Sequence, residues 1–251
     1  MGARFIVCGL LAWAGLSPLP AAAIIGGAPA PAAVAAQTVL IVSTRGAACT
    51  GAVLARNLVL TAAHCVQPAG DYAVVVREGA APRLIPVARI ALHPRFDPEQ
   101  FKTRRPTPDL ALLKIAEPLP VNFRVVRLAR EAAAPRPGDN FTLTGFGMTS
   151  EGDAKSAGKL NSVTLPAIGN TIDATGVIMV RLSVAGGTVA GACTGDSGGP
   201  VFRGEAVAGV IGWATGAKGR QCGLVTGVTL VAPQHEWIAA TARALGGGIG
   251  E

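Results

Sequence analysis

Gly191-Ala192-Cys193-Thr194-Gly195-Asp196-Ser197-Gly198-Gly199-Pro200-Val201 places one serine in a glycine-rich turn, with an acid just before it and a cysteine four residues before it. Glycine permits backbone conformations that side chains with a Cβ avoid, so such a turn can aim successive N–H groups at one point. N–H groups gathered beside the Ser197 hydroxyl would stabilise a developing oxyanion. A hydroxyl is a weak nucleophile at neutral pH unless a base takes its proton. The reading therefore depends on whether the chain also supplies a base and a carboxylate to orient it.

Two further stretches answer that question. Thr61-Ala62-Ala63-His64-Cys65 follows Asn57-Leu58-Val59-Leu60 and offers His64, whose unperturbed pKa of about 6.5 suits proton transfer near neutrality. Asp109-Leu110-Ala111-Leu112-Leu113-Lys114-Ile115 opens an apolar strand with a single acid. Alone, Gly195-x-Ser197-x-Gly199 also fits a hairpin turn or the nucleophile elbow of an α/β-hydrolase. In that fold the acid and base follow the serine. Here only Glu205, His235 and Glu236 could serve after Ser197, and no βαβ alternation precedes it.

Gly195-Asp196-Ser197-Gly198-Gly199-Pro200, the His64 string and the Asp109 string together resemble the chymotrypsin/trypsin-like serine proteases, in that family's order of His, Asp and Ser. The resemblance runs from Ile24 to about Leu245. It implies an all-β fold of two packed six-stranded antiparallel barrels with a C-terminal helix. The first barrel is expected at about 24–130, the second at about 131–232 and the helix at about 233–245. It implies His64, Asp109 and Ser197 as the catalytic set, and the N–H groups of Gly195 and Ser197 as the oxyanion hole. Disulfides Cys49–Cys65 and Cys193–Cys222 are implied as well. A freed Ile24 of Ile24-Ile25-Gly26-Gly27 would pair its ammonium with Asp196 and hold the serine turn in shape.

The resemblance also locates a primary pocket. Gly191 falls at its base, with Ala192 beside it and walls from Gly212, Trp213, Ala214 and Gly223. No acid stands at the base, so the expected side chain before the scissile bond is neutral, and preference is broad because apolar pockets discriminate by only about 1–3 kcal/mol per methylene. Two departures mark this region. Gly212 stands where the family usually has a serine that supports the triad acid. The segment from Ala214 to Cys222 is longer than usual.

Composition agrees with this reading. The 251 residues are 50% hydrophobic, enough for a sizeable core, and 33 glycines and 18 prolines are scattered without repeats, as short strands joined by turns require. Arg4, an apolar run over residues 5–16 and Ala21-Ala22-Ala23 form a signal peptide cut at about Ala23, which implies export to the periplasm or the medium. Its removal takes away Arg4 and no acid, lowering the formal charge from +7 to +6. No aromatic-interleaved basic stripe points to nucleic acid, and no second apolar span points to a stable membrane anchor. Four cysteines remain after Cys8 is removed, an even number suited to two disulfides in an oxidising compartment. Residues 93–108, rich in proline and arginine, read as an exposed loop, and residues 148–159 as another.

The expected activity is endopeptidase hydrolysis through an acyl-enzyme, without metal or organic cofactor. Polypeptide substrates and protein inhibitors are the expected partners of a monomer. A non-catalytic binding homologue of the same fold and a broad esterase are the alternatives.

Overall fold

The computed structural model describes residues 24–67, 70–77, 81–99, 106–131, 133–173, 176–184, 186 and 188–249. The expected signal peptide (residues 1–23), Arg104 and Arg105 lie outside these residues. The elements of the first half are β1 (Ala28–Pro29), a single helical turn α1 (Ala32–Ala35), β2 (Thr38–Ser43), β3 (Ala48–Ala55), β4 (Leu58–Thr61), β5 (Tyr72–Arg77), β6 (Pro82–Leu92), β7 (Ala111–Ile115) and β8 (Arg127–Leu128). The second half holds β9 (Asn140–Gly145), β10 (Asn161–Ile172), β11 (Ile178–Leu182), β12 (Pro200–Arg203), β13 (Ala206–Thr215), β14 (Val225–Leu230) and helix α2 (His235–Ala244).

Strands β2-β3-β4-β7-β6-β5 close one antiparallel barrel, since β5 pairs back onto β2. Strands β9-β10-β11-β14-β13-β12 close a second, with β12 returning to β9. Closure leaves no long unpaired edge in either sheet. The fold is thus two closed six-stranded antiparallel barrels with one C-terminal helix. Alternation explains the strands: in β5 the buried residues are Tyr72, Val74 and Val76, every second one. Strand β4 departs from alternation and is buried throughout.

The two ends of the chain cross between barrels. Ile24 is fully buried in the core of the second barrel, with Phe141, Leu143 and Val201. Ile25 pairs with Gly191, and β1 adds onto β10. The first barrel's boundary therefore lies after this segment rather than at residue 24, because the apolar Ile24-Ile25 pair finds its cover in the other barrel. At the other end, Ile238, Ala242 and Leu245 of the helical segment join the first barrel's core.

Within residues 93–99, Pro94, Arg95, Pro98 and Glu99 are exposed as expected of a loop, and His93 departs from it. His93 is buried, its ring 4.5 Å from that of Trp237, and its Nδ1 accepts the Arg95 N–H at 3.2 Å. Burial first, then the neighbouring Arg95 charge, lowers its pKa to about 4. It serves as a neutral post between this loop and helix α2.

Candidate active site

The site lies between the barrels. Strands β4 and β7 are antiparallel neighbours with Thr61 opposite Ala111. His64, three residues past the end of β4, and Asp109, two residues before β7, are thereby brought to the same end of the barrel. After β4 the chain turns through a 3-10 segment at Ala63–Val66, which carries His64, and the Cys49–Cys65 disulfide ties that segment to β3. Asp109 is buried and His64 half-buried. The Asp109 carboxylate grips the histidine twice: Oδ1 accepts the His64 backbone N–H at 3.0 Å, and Oδ2 lies 2.7 Å from ring Nδ1. This contact favours the tautomer with the proton on Nδ1, which makes Nε2 the ring nitrogen that can act as a base.

The serine turn comes from the second barrel and is held by the first. The Thr50 N–H donates to the Ser197 carbonyl at 2.8 Å, and the Thr50 hydroxyl donates to the Gly195 carbonyl at 2.9 Å. Cys65 Sγ lies 3.5 Å from the Ser197 carbonyl oxygen, so the serine sits next to the segment that carries His64. The glycines here are required. Gly198 has φ +80°, and a Cβ there would run into the Thr61 hydroxyl and the Thr50 carbonyl. At Gly195, φ is +97° and a Cβ would lie 2.8 Å from Gly147 Cα. Among the described residues, no acceptor takes the N–H of Gly195 or of Ser197. Both N–H groups are thus left unclaimed within the described residues.

Asp196 points the other way, into the protein. It is fully buried, with Oδ1 accepting the Gly147 N–H and Oδ2 the Cys193 N–H, both at 2.8 Å. Burial raises its carboxyl from 3.8 to about 7, against the lowering effect of those two hydrogen bonds. Gly145 and Gly147 leave room for it: a Cβ at either would strike the carboxylate.

The described residues in contact with Gly191, which are Ile25, Gly223 and Thr226, carry no charge. Ala192 is buried, and its N–H donates to the Thr226 hydroxyl at 2.9 Å. A Cβ on Gly191 would lie 3.0 Å from that same hydroxyl. Trp213 and Ala214 stand opposite Gly227 and Thr226 across β13 and β14, and the indole occupies the space a Gly227 side chain would need. The Trp213 Nε1–H points at Met179 Sδ, 2.9 Å away. Cys193 and Cys222 are joined, and Gly223, the next residue, packs toward Ile25 and Val189. Gly212 turns toward Asp109 rather than along this wall. Sequence reasoning missed Thr50, Thr61, Thr226 and Gly227. Thr50 follows a cysteine and Thr61 opens the histidine motif, but Thr50's hold on the serine turn arises only when the barrels meet.

Among the described residues, one group of three side chains has the composition of a metal site: Cys49, His64 and Cys65. Both sulfurs are joined in the disulfide, so it offers only the imidazole. No described helix is long and apolar enough to cross a membrane.

A histidine gripped by a buried carboxylate, beside a serine with two unclaimed N–H donors, at the meeting of two six-stranded barrels, has the architecture of a serine-type endopeptidase. The comparisons agree. The trypsin family model matches residues 24–238, and the chain belongs to the trypsin family. Trypsin epsilon of Drosophila erecta is 30% identical over 206 residues, covering 78% of each chain. The vitellin-degrading protease of Bombyx mori is 28% identical over 249 residues, 93% of this chain and 91% of that protein. In three dimensions the chain resembles neuropsin, a serine protease expressed in the limbic system of mouse brain, with a TM-score of 0.68 at 21% identity over 87% of this chain and 99% of that one. The protein is a trypsin-family serine endopeptidase. Its two disulfides and its family suit an oxidising, extracellular setting.

Proposed function

We propose that the protein hydrolyses polypeptides after neutral side chains, through an acyl-enzyme on Ser197. The Ser197 Oγ attacks the scissile carbonyl carbon while His64 Nε2 takes its proton. The N–H groups of Gly195 and Ser197 hold the oxyanion of the tetrahedral adduct. His64 then passes the proton to the leaving amine, and the C–N bond breaks. Water, deprotonated by His64, attacks the ester and releases the acid and free Ser197. Asp109 keeps the imidazole oriented and stabilises its charged form. The double grip of the buried Asp109 on His64, at 3.0 and 2.7 Å, carries this reading.

The uncharged lining of Gly191, Ala192, Trp213, Ala214 and Gly223 supports neutral substrates, with the Thr226 hydroxyl already engaged by Ala192. Activation proceeds by a cut before Ile24, whose new ammonium pairs with Asp196. Two observations support that step. Asp196 is buried with no cation paired to it among the described residues. Ile24 has φ +58°, a costly conformation for a β-branched residue. That angle exists only while another residue precedes Ile24.

The test is an intact-mass spectrum of the exported protein before and after a fluorophosphonate probe. The expected result is a chain beginning at Ile24 that gains one adduct, abolished by Ser197→Ala, and cleaves a peptide library after neutral residues. No adduct on a chain that begins at Ile24 points instead to a binding homologue. An adduct with ester turnover but no peptide cleavage points to an esterase.

A further inference from the structure

Gly212 is the extra residue of a β-bulge. In the β13–β14 ladder Ile211 pairs with Val228 and Trp213 with Gly227, which leaves Gly212 without an opposite number. Bulges interrupt the ladder and re-aim the backbone. Here the position where a Cβ would project opens on three oxygens: Asp109 Oδ2 at 3.6 Å, the Gly227 carbonyl at 3.7 Å and the Thr229 hydroxyl at 3.8 Å. Apart from its own chain neighbours nothing lies closer, so the bulge leaves room for at least a small group beside the carboxylate, a recess in the packing.

The Thr229 hydroxyl on its wall is completely buried and has no hydrogen-bond partner among the described residues. A buried hydroxyl left unpaired is costly, and native interiors commonly satisfy such groups with an ordered water that makes about three hydrogen bonds. The recess provides two acceptors, Asp109 Oδ2 and the Gly227 carbonyl, and one group that can donate, the Thr229 hydroxyl. A single water matches that set, donating twice and accepting once.

We propose that Thr229 is a positioning residue for Asp109, acting through a water molecule held in the recess beside Gly212. The inference rests on the catalytic reading given above. The water gives Asp109 Oδ2 a second donor besides His64 Nδ1. It fixes the plane of the carboxylate and stabilises its charge while the imidazole takes up a proton. Thr229 orients the water and makes no contact with substrate. The bulge glycine leaves room for the water, and Thr229, seventeen residues further along the chain, supplies the hydroxyl that holds it.

The experiment uses the chain beginning at Ile24, a neutral peptide substrate and four variants. Thr229→Val keeps volume and strand preference and deletes the hydroxyl. It should lower kcat about fivefold, the worth of one hydrogen bond, with KM unchanged. Thr229→Ser should retain parental kcat. Gly212→Ser puts a hydroxyl of its own into the recess, and its kcat is the reference for the double variant. In the fourth, doubly substituted variant, Thr229→Val should then have no further effect. An unchanged kcat in Thr229→Val, together with a raised Tm, would mean a hydroxyl that is simply orphaned, and overturns the proposal. So does full additivity in the double variant. A high-resolution crystal structure of the parent enzyme gives a readout independent of turnover. A water at about 2.6–3.2 Å from all three oxygens is expected, and an empty recess refutes it. If the parent enzyme takes no fluorophosphonate at Ser197, the catalytic reading and this inference fall together. Normal labelling with a silent Thr229→Val sinks this inference alone.

Discussion

Asp196 allows the proposed activation to be tested by stability as well as by activity. In the chain that still carries residues before Ile24, burial holds its carboxyl near 7 rather than 3.8. That difference is equivalent to about 4 kcal/mol at 1.36 kcal/mol per pH unit. Because the folded value lies above the unfolded one, the stabilising contribution is present in full below about pH 4 and is lost as pH climbs to about 7. A chain beginning at Ile24 can set an ammonium against the carboxylate, so this loss should be absent. Two forms should be compared by calorimetry in a Ser197→Ala background that prevents self-cleavage, one starting at Ile24 and one at Ala21. Between about pH 5 and pH 7.5 the gap should widen by roughly 3 kcal/mol, or about 6–12 °C in Tm for a chain of this size. Parallel pH curves for the two forms would refute the proposed Ile24–Asp196 pair.

Other perturbations address separate parts of the site. Asp109→Asn should cost on the order of 10⁴-fold in kcat by favouring the wrong imidazole tautomer, with a matching fall in the rate of fluorophosphonate labelling. Gly198→Ala forces a Cβ at φ +80° into the Thr61 hydroxyl and the Thr50 carbonyl, so it should lose about 3 kcal/mol in chemical denaturation. Gly138→Ala, at φ +93° with open space around it, should lose only about 1 kcal/mol. Equal losses would show that backbone strain alone matters. His93, held neutral down to about pH 4, should cost the fold stability as pH falls from about 6.5 toward 4, because the unfolded chain binds that proton first. An imidazole titration near 6.5 in the NMR spectrum of the folded protein would contradict this.

Much of the molecule was legible because the motifs carry their own conformational needs. The turn around Ser197 demands glycine, and the sequence supplies Gly195, Gly198 and Gly199. Apolar runs such as residues 72–76 and 206–213 mark strands β5 and β13. Other features were beyond sequence. His93 reads as a loop residue because its cover, Trp237, lies 144 positions away. Gly212 reads both as a pocket wall beside Trp213 and as the place of a serine that supports the triad acid; it faces Asp109, and the bulge that turns it there has no local signal. Thr229 is one threonine in an apolar strand, and only the bulge shows that its hydroxyl and an acid from the other barrel border the same spot beside Gly212. Ile24-Ile25 reads as the start of the first barrel by sequence order, whereas its apolar side chains are buried where a complementary surface exists.

The crossing of the chain ends has a mechanical meaning. Each barrel is fastened by the tail of its neighbour: the opening segment is seated in the later barrel, and the closing helix on the earlier one. Pulling the halves apart would require both tails to come loose together, like a parcel tied from both sides. The nucleophile and its base sit on opposite halves, so this double lashing keeps them in register. A circular permutant that joined the old ends and opened a new pair between the barrels would keep every strand but loosen the lashing, and the spacing between Ser197 and His64 is what it would disturb first.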